Sequence, residues 1–569
     1  MNWKSLLLVL LALVVGVGVL VKIALRTPVP PEHQVFINGD ILTMDVGNSV
    51  VQALSTRGEL IEALGTTEEI MALVADDTVV VDLRGRTVLP GFIDAHGHFP
   101  GSGMKVVAAD LNSPPIGDKT TMAEVLAAVE AQVEGKSAGE WVSGFGYDDT
   151  LLVENRHPTR AELDAVSTEH PISVMHISGH MLVVNSYALD LVGIDASTPD
   201  PEGGVIGRRA GSQEPNGLLE ETARMDVMDH LQEMKLVDTY RLFKSAANEY
   251  SAIGVTTAQS GGVSEELARG LSFFSKIGVI PQRLVLFPFE TSFGDSLLNG
   301  EYDPANYDSD KLTMGAVKLV ADGSIQGFTG YLSLPYHTPY HGDAQYRGYP
   351  TMSRETLFKQ VEALHRAGYQ LAIHGNGDES IEDILDAFEA AQQVHPVADP
   401  RMILIHAQMA REDQVARMGD LGVTPSFFTA HTWYWGDRHR DIFMGPARAA
   451  VISPSMWAQN YGLRFSSHLD TPVTPMEPLQ AVWSLVHRQT VGGDVLGPEQ
   501  RIDVMDALRA VTIDAAWQIF QENNRGSLEP GKYADLVVLS GSPLEQPMNM
   551  RDLQVQRTVV GGATIFERR

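Results

Sequence analysis

Two histidines one residue apart, His96 and His98 in the run Leu89-Pro90-Gly91-Phe92-Ile93-Asp94-Ala95-His96-Gly97-His98, stand where an apolar strand gives way to loop. On extended backbone, residues i and i+2 point to one side, so both imidazoles can offer a nitrogen to the same metal ion. With 18 histidines in 569 residues, one such pair arises at roughly even odds by chance, and its meaning rests on further ligands. These follow in order, at or near the ends of apolar runs that read as strands. Residues 314–321 carry Lys318 and turn at Asp322-Gly323-Ser324, and residues 369–373 end on His374. Residues 402–405 end on His406, and residues 463–467 lead through His468 to Asp470, with Pro472 just beyond. Cysteine is absent, which leaves histidine, carboxylate and a modified lysine as the strong metal ligands.

These residues need a scaffold that gathers strand ends. Eight strands are read near Ile93, Val255, Leu284, Val317, Ala372, Leu404, Val423 and Phe465, interleaved with helical patterns such as 354–367, 379–393 and 411–421. Alternating strand and helix argues for parallel βα units. Eight of them close a (β/α)8 TIM-like barrel, whose catalytic groups collect at the C-terminal ends of the strands. The candidate ligands then fall on strands 1, 4, 5, 6 and 8. Residues 100–245 are far too long for an ordinary βα loop and are expected to cover the site. Short alternating strands at 34–44, 51–64 and 78–89 match a second set at 534–539 and 555–566. Neither set makes a stable sheet alone, so both chain ends are expected to build one small β domain. The resulting expectation is an α/β chain with its barrel at 89–524 and a composite domain from 34–88 with 525–569.

At this point the sequence resembles the amidohydrolase superfamily, and within it amidohydrolase family 3, the YtcJ-like group that includes N-substituted formamide deformylases. The resemblance covers nearly the whole chain beyond residue 34. It rests on VLPGFIDAHGH, GYDDTLLVENRHPTRAELD, GHMLVVNSYAL, TPDPEGGVIGR, GLLEE ending at Glu221, VKLVADGS, IHGNGD, HAQ, HLDTPVTPMEPL and RGSLEPGKYADLVVL. It departs from the family where QGF follows ADGSI and where His468 precedes Asp470 by two residues, which leaves the substrate unspecified. The resemblance implies the barrel, a composite β-sandwich, and functional residues Tyr147, Asp148, His180, Asn185 and Glu221 in the covering insertion. His180, beside Gly179, is expected to meet the substrate, with a structural histidine as the equal alternative.

The implied chemistry assigns a role to each ligand. A carboxylated Lys318 can bridge two divalent ions, zinc being the expected metal, which an ammonium without a lone pair cannot do. His96, His98 and Asp470 would complete one ion and His374 and His406 the other. A metal pair lowers the pKa of bound water and polarises the scissile carbonyl, and Asp470 is the natural base. The alternative for Lys318 is a lysine paired with a carboxylate such as Asp322, which leaves a single-metal site. Residues 429–437, with His431, Trp433, Tyr434 and Trp435, suit an aromatic pocket wall, or equally the packing of a loop against the insertion. The expected function is hydrolysis of a C–N bond, an N-acyl or N-formyl amide of a small molecule. Phosphotriester or lactone hydrolysis on the same site is the alternative enzyme, and a barrel kept only for binding or regulation is the non-enzymatic one.

Composition narrows the partners. A net charge of −30 disfavours nucleic acid, which asks for clustered lysine and arginine. Oligomer formation stays open. Residues 5–21 are uncharged and almost wholly apolar, and with Lys22 snorkelling the stretch reaches Leu25, about 30 Å of helix. No Ala-x-Ala cleavage signal follows, so the expectation is a retained transmembrane helix at 1–27 and a stiff Pro-rich spacer. The short tail before Lys4 then places the N-terminus inside. That gives a single-pass protein of a bacterial-type inner membrane, with its catalytic domain facing the periplasm or exterior.

Overall fold

The computed structural model describes residues 28–231 and 234–569. Its centre is a ring of eight parallel strands. In chain order they are Phe92–Ile93, Val255–Val263, Arg283–Pro288, a fourth strand in two pieces at Leu312–Met314 and Val317–Val320, Leu371–Gly375, Met402–His406, Val423–Phe427 and Ser466–Ser467. Gly315 and Ala316 interrupt the fourth strand, and a parallel bridge from Phe289 to Lys318 carries the ring across the break. Closure from strand 8 to strand 1 is made by two backbone hydrogen bonds, Asp470 N to His96 O at 3.1 Å and His98 N to Thr471 O at 2.7 Å. The ring therefore closes through the loops that carry the candidate ligands.

The strand segments are continuous apolar runs because a barrel strand is buried on both faces. Leu371–Gly375, Met402–His406 and Val423–Phe427 are buried along their whole length. Helices Arg354–Arg366, Asp378–Val394 and Glu412–Leu421 follow their strands with apolar residues at helical spacing, such as Ile381, Ile384, Leu385 and Phe388.

A six-stranded sheet mixes both ends of the chain in the order Ala563–Glu567, Val555–Val560, Leu536–Leu539, Thr87–Pro90, Asp40–Leu42, Val50–Val51. It packs on a four-stranded sheet around His33–Ile37, and Phe36, Leu54, Val88, Leu536 and Val559 share the core between them. Between strands 1 and 2 the insertion builds its own six-stranded sheet, with Val142–Tyr147, Ile172–His176, Met181–Val184 and Pro215–Glu221 among its strands.

The expected transmembrane helix, and the inner-membrane placement drawn from it, are corrected. Among the described residues no helix is long and apolar enough to cross a membrane, and residues 1–27 lie outside them. Barrel helices such as Arg354–Arg366 and Asp378–Val394 are amphipathic, with polar faces that a bilayer core would not accept. The described residues form the α/β barrel with its β-sandwich and insertion, and no membrane helix lies among them.

Candidate active site

The strand ends bring His96, Lys318, His374, His406 and Asp470 together below the surface, with His98 at the exposed edge of the cluster. His98 Nε2 lies 3.2 Å and His96 Nε2 3.6 Å from Asp470 Oδ1, and Lys318 Nζ lies 3.5 Å from His96 Nε2. The His374 and His406 rings are 4.5 Å apart between centroids, and the His96 and His406 rings 5.6 Å. Burial holds the imidazoles of His96, His374 and His406 well below their usual pKa, so these rings are neutral and each keeps one nitrogen lone pair of the kind that binds a cation. Burial also pushes the Lys318 amine down to about 7. Burial raises the Asp470 carboxylate, but its close contact with His98 and the fields of the neighbouring nitrogen bases outweigh that and hold its pKa below the ordinary value.

This donor set fits divalent metal. The ligand atoms of His96, His98 and Asp470 all lie within 4.8 Å of one another. Asp470 Oδ1 and His374 Nδ1 are buried without a partner of hydrogen-bond geometry, although His98 and Asp322 approach them at 3.2 Å. Buried polar atoms left in this state are costly; a metal held with His96 and His98 would satisfy Asp470 Oδ1, whereas His374 Nδ1 faces the Asp322 carboxylate and leaves Nε2 as that ring's candidate ligand atom. Backbone strain collects at the same place: His406 and Asp470 hold positive φ of 70° and 53°, conformations that non-glycine residues keep only where the surroundings enforce them.

A second layer orients the ligands. Asp322 accepts backbone hydrogen bonds from Asn376, Gly377 and Tyr331 and lies 3.2 Å from His374 Nδ1. It is therefore spoken for by His374, and the pairing with Lys318 considered from sequence does not occur. His468 Nε2 lies 3.0 Å from His406 Nδ1, with Ser426 Oγ at 2.9 Å from its other nitrogen. Gln259 Oε1 sits 3.3 Å from His96 Nδ1. Gly261 makes room for that ring, since a Cβ there would stand 2.1 Å from His96 Cε1.

The insertion and the segment after strand 7 divide the remaining candidates. His180 enters the site, its ring 5.0 Å from that of His374, and its Nδ1 lies 2.8 Å from Glu221 Oε2. His431 is buried beside Phe428 at 3.9 Å and His406 at 6.5 Å, with both ring nitrogens unpartnered. The aromatic run is a helix, His431–Arg438, rather than a loop, and helical spacing turns its rings different ways. Trp433 points to Trp483, 5.3 Å away, and to Arg551, outside the cluster. Tyr434, Trp435 and Arg438 face the insertion around a cavity of about 10 Å³, where Asp148 accepts hydrogen bonds from Trp435 Nε1 at 3.2 Å and Arg438 Nη1 at 2.6 Å. Tyr147 is buried against His157 and His176. Asn185 caps helix Ser186–Val192 and spends its amide on Ile172 N, Ser167 O and His170 O, so it holds the insertion together away from the metal ligands.

A closed eight-stranded barrel with a histidine, lysine and aspartate cluster on its strand ends defines a metal-dependent hydrolase. The chain belongs to the amidohydrolase family, whose pattern it matches over residues 79–566. It is a hydrolase of carbon–nitrogen bonds other than peptide bonds. It is 31% identical over 544 residues to an N-substituted formamide deformylase of Arthrobacter pascens, covering 94% of this chain and 98% of that one. It is 27% identical to the putative amidohydrolase YtcJ of Bacillus subtilis (strain 168), with 93% and 98% covered. An uncharacterized metal-dependent hydrolase from Pyrococcus horikoshii OT3 superposes with a TM-score of 0.71 at 25% identity, over 90% of this chain and 98% of that one.

Proposed function

We propose that the chain hydrolyses the N-acyl or N-formyl amide of a substituted amine at a centre of two divalent ions, zinc being the expected metal, bridged by a carboxylated Lys318. The observation that carries this reading is the gathering of six ligand-type side chains at the strand ends: His96, His98 and Asp470 with their ligand atoms within 4.8 Å of one another, and Lys318, His374 and His406 buried beside them. When bound, the ions supply an acidified water and a polarised carbonyl. His96, His98 and Asp470 would hold one ion and His374 and His406 the other.

Each remaining role belongs to a residue of the chain. Burial leaves the Lys318 amine partly neutral near pH 7, the form that can add carbon dioxide and become a bridging carboxylate. Asp470 stays ionised well below neutrality and so can take the proton released by the attacking water. His180 approaches from the insertion, and His431 offers two free nitrogens to a polar substrate atom. Tyr147 and Tyr434 act on the insertion and its contact with the barrel rather than on the ligands, and Trp433 lies outside the cluster. The deformylase relative makes the N-formyl class the first to try.

A metal analysis combined with a substrate screen tests this reading. Turnover of N-formyl and N-acyl amines with two ions per chain is expected. Preference for organophosphates or lactones would reassign the substrate class, and metal-free protein without turnover on any of them would reject the reading.

A further inference from the structure

We propose that Glu221 is a positioning residue, which fixes the His180 ring with Nδ1 carrying the hydrogen and Nε2 turned to the substrate. This rests on the hydrolytic reading above. It also replaces a substrate-binding role for Glu221 with one exercised through His180.

The sequence places the two residues apart, and the insertion sheet brings them together. His180 closes the turn Ser178-Gly179-His180 in front of Met181–Val184, and Glu221 ends Pro215–Glu221. These strands run antiparallel with Met181 opposite Glu220, which makes His180 and Glu221 neighbours at the strand ends. Two hydrogen bonds join them: Glu221 N donates to His180 O at 2.8 Å, and the side chains meet at 2.8 Å between Nδ1 and Oε2. A carboxylate is an acceptor only, so Nδ1 carries the hydrogen, and in the neutral imidazole it is Nε2, on the opposite side of the ring, that keeps the lone pair.

Three features show that the pair is built. Glu221 sits at φ 49° and ψ −120°, a conformation that costs a non-glycine residue about 1–3 kcal/mol and tends to mark functional positions. Its side chain is 3% exposed against 16% for His180, so the carboxylate stands behind the imidazole and the imidazole faces the site. Gly323, directly after Asp322, leaves the space the carboxylate fills: a Cβ there would stand 2.1 Å from Glu221 Oε1 and 2.1 Å from Thr329 Oγ1. The turn after strand 4 and the insertion therefore fit each other around this carboxylate. Charge, tautomer and ring direction are set together, as they are where a carboxylate orients a working histidine.

A double-mutant cycle on the metal-replete full chain tests the proposal. Glu221→Gln and His180→Asn are each expected to lower kcat roughly 10²-fold, with KM changed less than about threefold and metal content unchanged. The double variant should be no slower than His180→Asn, because Glu221 has nothing to act through once the imidazole is gone. Glu221→Asp, which withdraws the carboxylate by one methylene, should give a smaller loss and so guards against misfolding of the glutamine variant. Spectra of the chain labelled with ¹⁵N-histidine give a readout that needs no substrate: the His180 resonances, identified by their loss in His180→Asn, should show Nδ1–H in the wild type and lose that tautomer preference in Glu221→Gln. A raised KM with normal kcat, multiplicative losses in the double variant, or an Nε2–H tautomer in the wild type would each overturn the proposal. If the wild type hydrolyses no amide, the functional reading fails instead, and the spectra alone decide whether Glu221 holds Nδ1–H.

Discussion

Two buried charged clusters lie at opposite ends of the barrel strands, and they are finished differently. At the N-terminal end, Arg283 meets Asp535 of the β-sandwich at 2.8 Å, with side chains 1% and 4% exposed. Both members of that pair are answered, although Nε of the neighbouring Arg525 has no hydrogen-bond partner. Asp535 also accepts the Gly561 amide at 2.7 Å, while Arg283 reaches Asp310 O and lies over the Tyr533 ring at 3.6 Å. At the C-terminal end, both nitrogens of His431 have no hydrogen-bond partner, and Asp470 Oδ1 and His374 Nδ1 are approached only at 3.2 Å, by His98 and Asp322, without hydrogen-bond geometry. A pair whose atoms are all satisfied holds two domains together, whereas a cluster left open in a dry site awaits metal and substrate. The difference separates a structural from a functional reading of the same residue types.

Variants at the two ends should break in different ways. The largest effect belongs to His96→Ala and His374→Ala, each of which should lose bound metal and nearly all turnover while keeping the fold. Elemental analysis decides it, because full metal content in both would put the site elsewhere. Asp470→Asn should lower kcat by roughly 10²–10⁴, the worth of a positioned acid–base group, and near-normal turnover would move the base to another residue.

Asp535→Ala reverses the pattern. It should cost roughly 3–5 kcal/mol of stability by leaving Arg283 buried and unpaired, with kcat unchanged in the folded fraction. The pH dependence has a definite sign. Pairing with Arg283 outweighs burial and holds the Asp535 pKa below its ordinary value. Its contribution is therefore complete above the unfolded pKa of about 3.9 and is lost as pH falls through the lower folded value. The stability gap between wild type and Asp535→Asn should be constant near neutrality and close below about pH 4 in denaturant titrations. A gap that widened in acid would contradict the pairing. The smallest effect is expected from His431→Phe, which keeps the stack on Phe428 and removes two polar atoms: a KM rise of about fivefold, near 1 kcal/mol, with normal folding. Unchanged KM would assign His431 to packing.

The candidate ligands could be picked out of the sequence because most of them end or follow an apolar strand, with Lys318 inside one, and a barrel forces strand ends to meet. What lay beyond reach depended on rotation and on distant pairing. Nothing in the run around Trp433 distinguishes it from Trp435, yet two positions on a helix turn one ring to Trp483 and the other to Asp148. Asn185 resembles a functional residue by its motif and serves as a helix cap, a role only the fold of the insertion reveals. Asp322 was visible as the residue of a turn, but its choice of His374 over Lys318 depends on the register between strands 4 and 5. The apolar N-terminal run met every length criterion for a membrane helix, while among the described residues no helix does.

The central claim, a centre of two ions bridged through Lys318, is tested most directly by the electron density beyond Lys318 Nζ in a metal-replete crystal structure. A planar carboxylate on Nζ contacting two ions, one beside His96, His98 and Asp470 and one beside His374 and His406, is the predicted result. A bare amine with a single ion at His96 and His98 would contradict it.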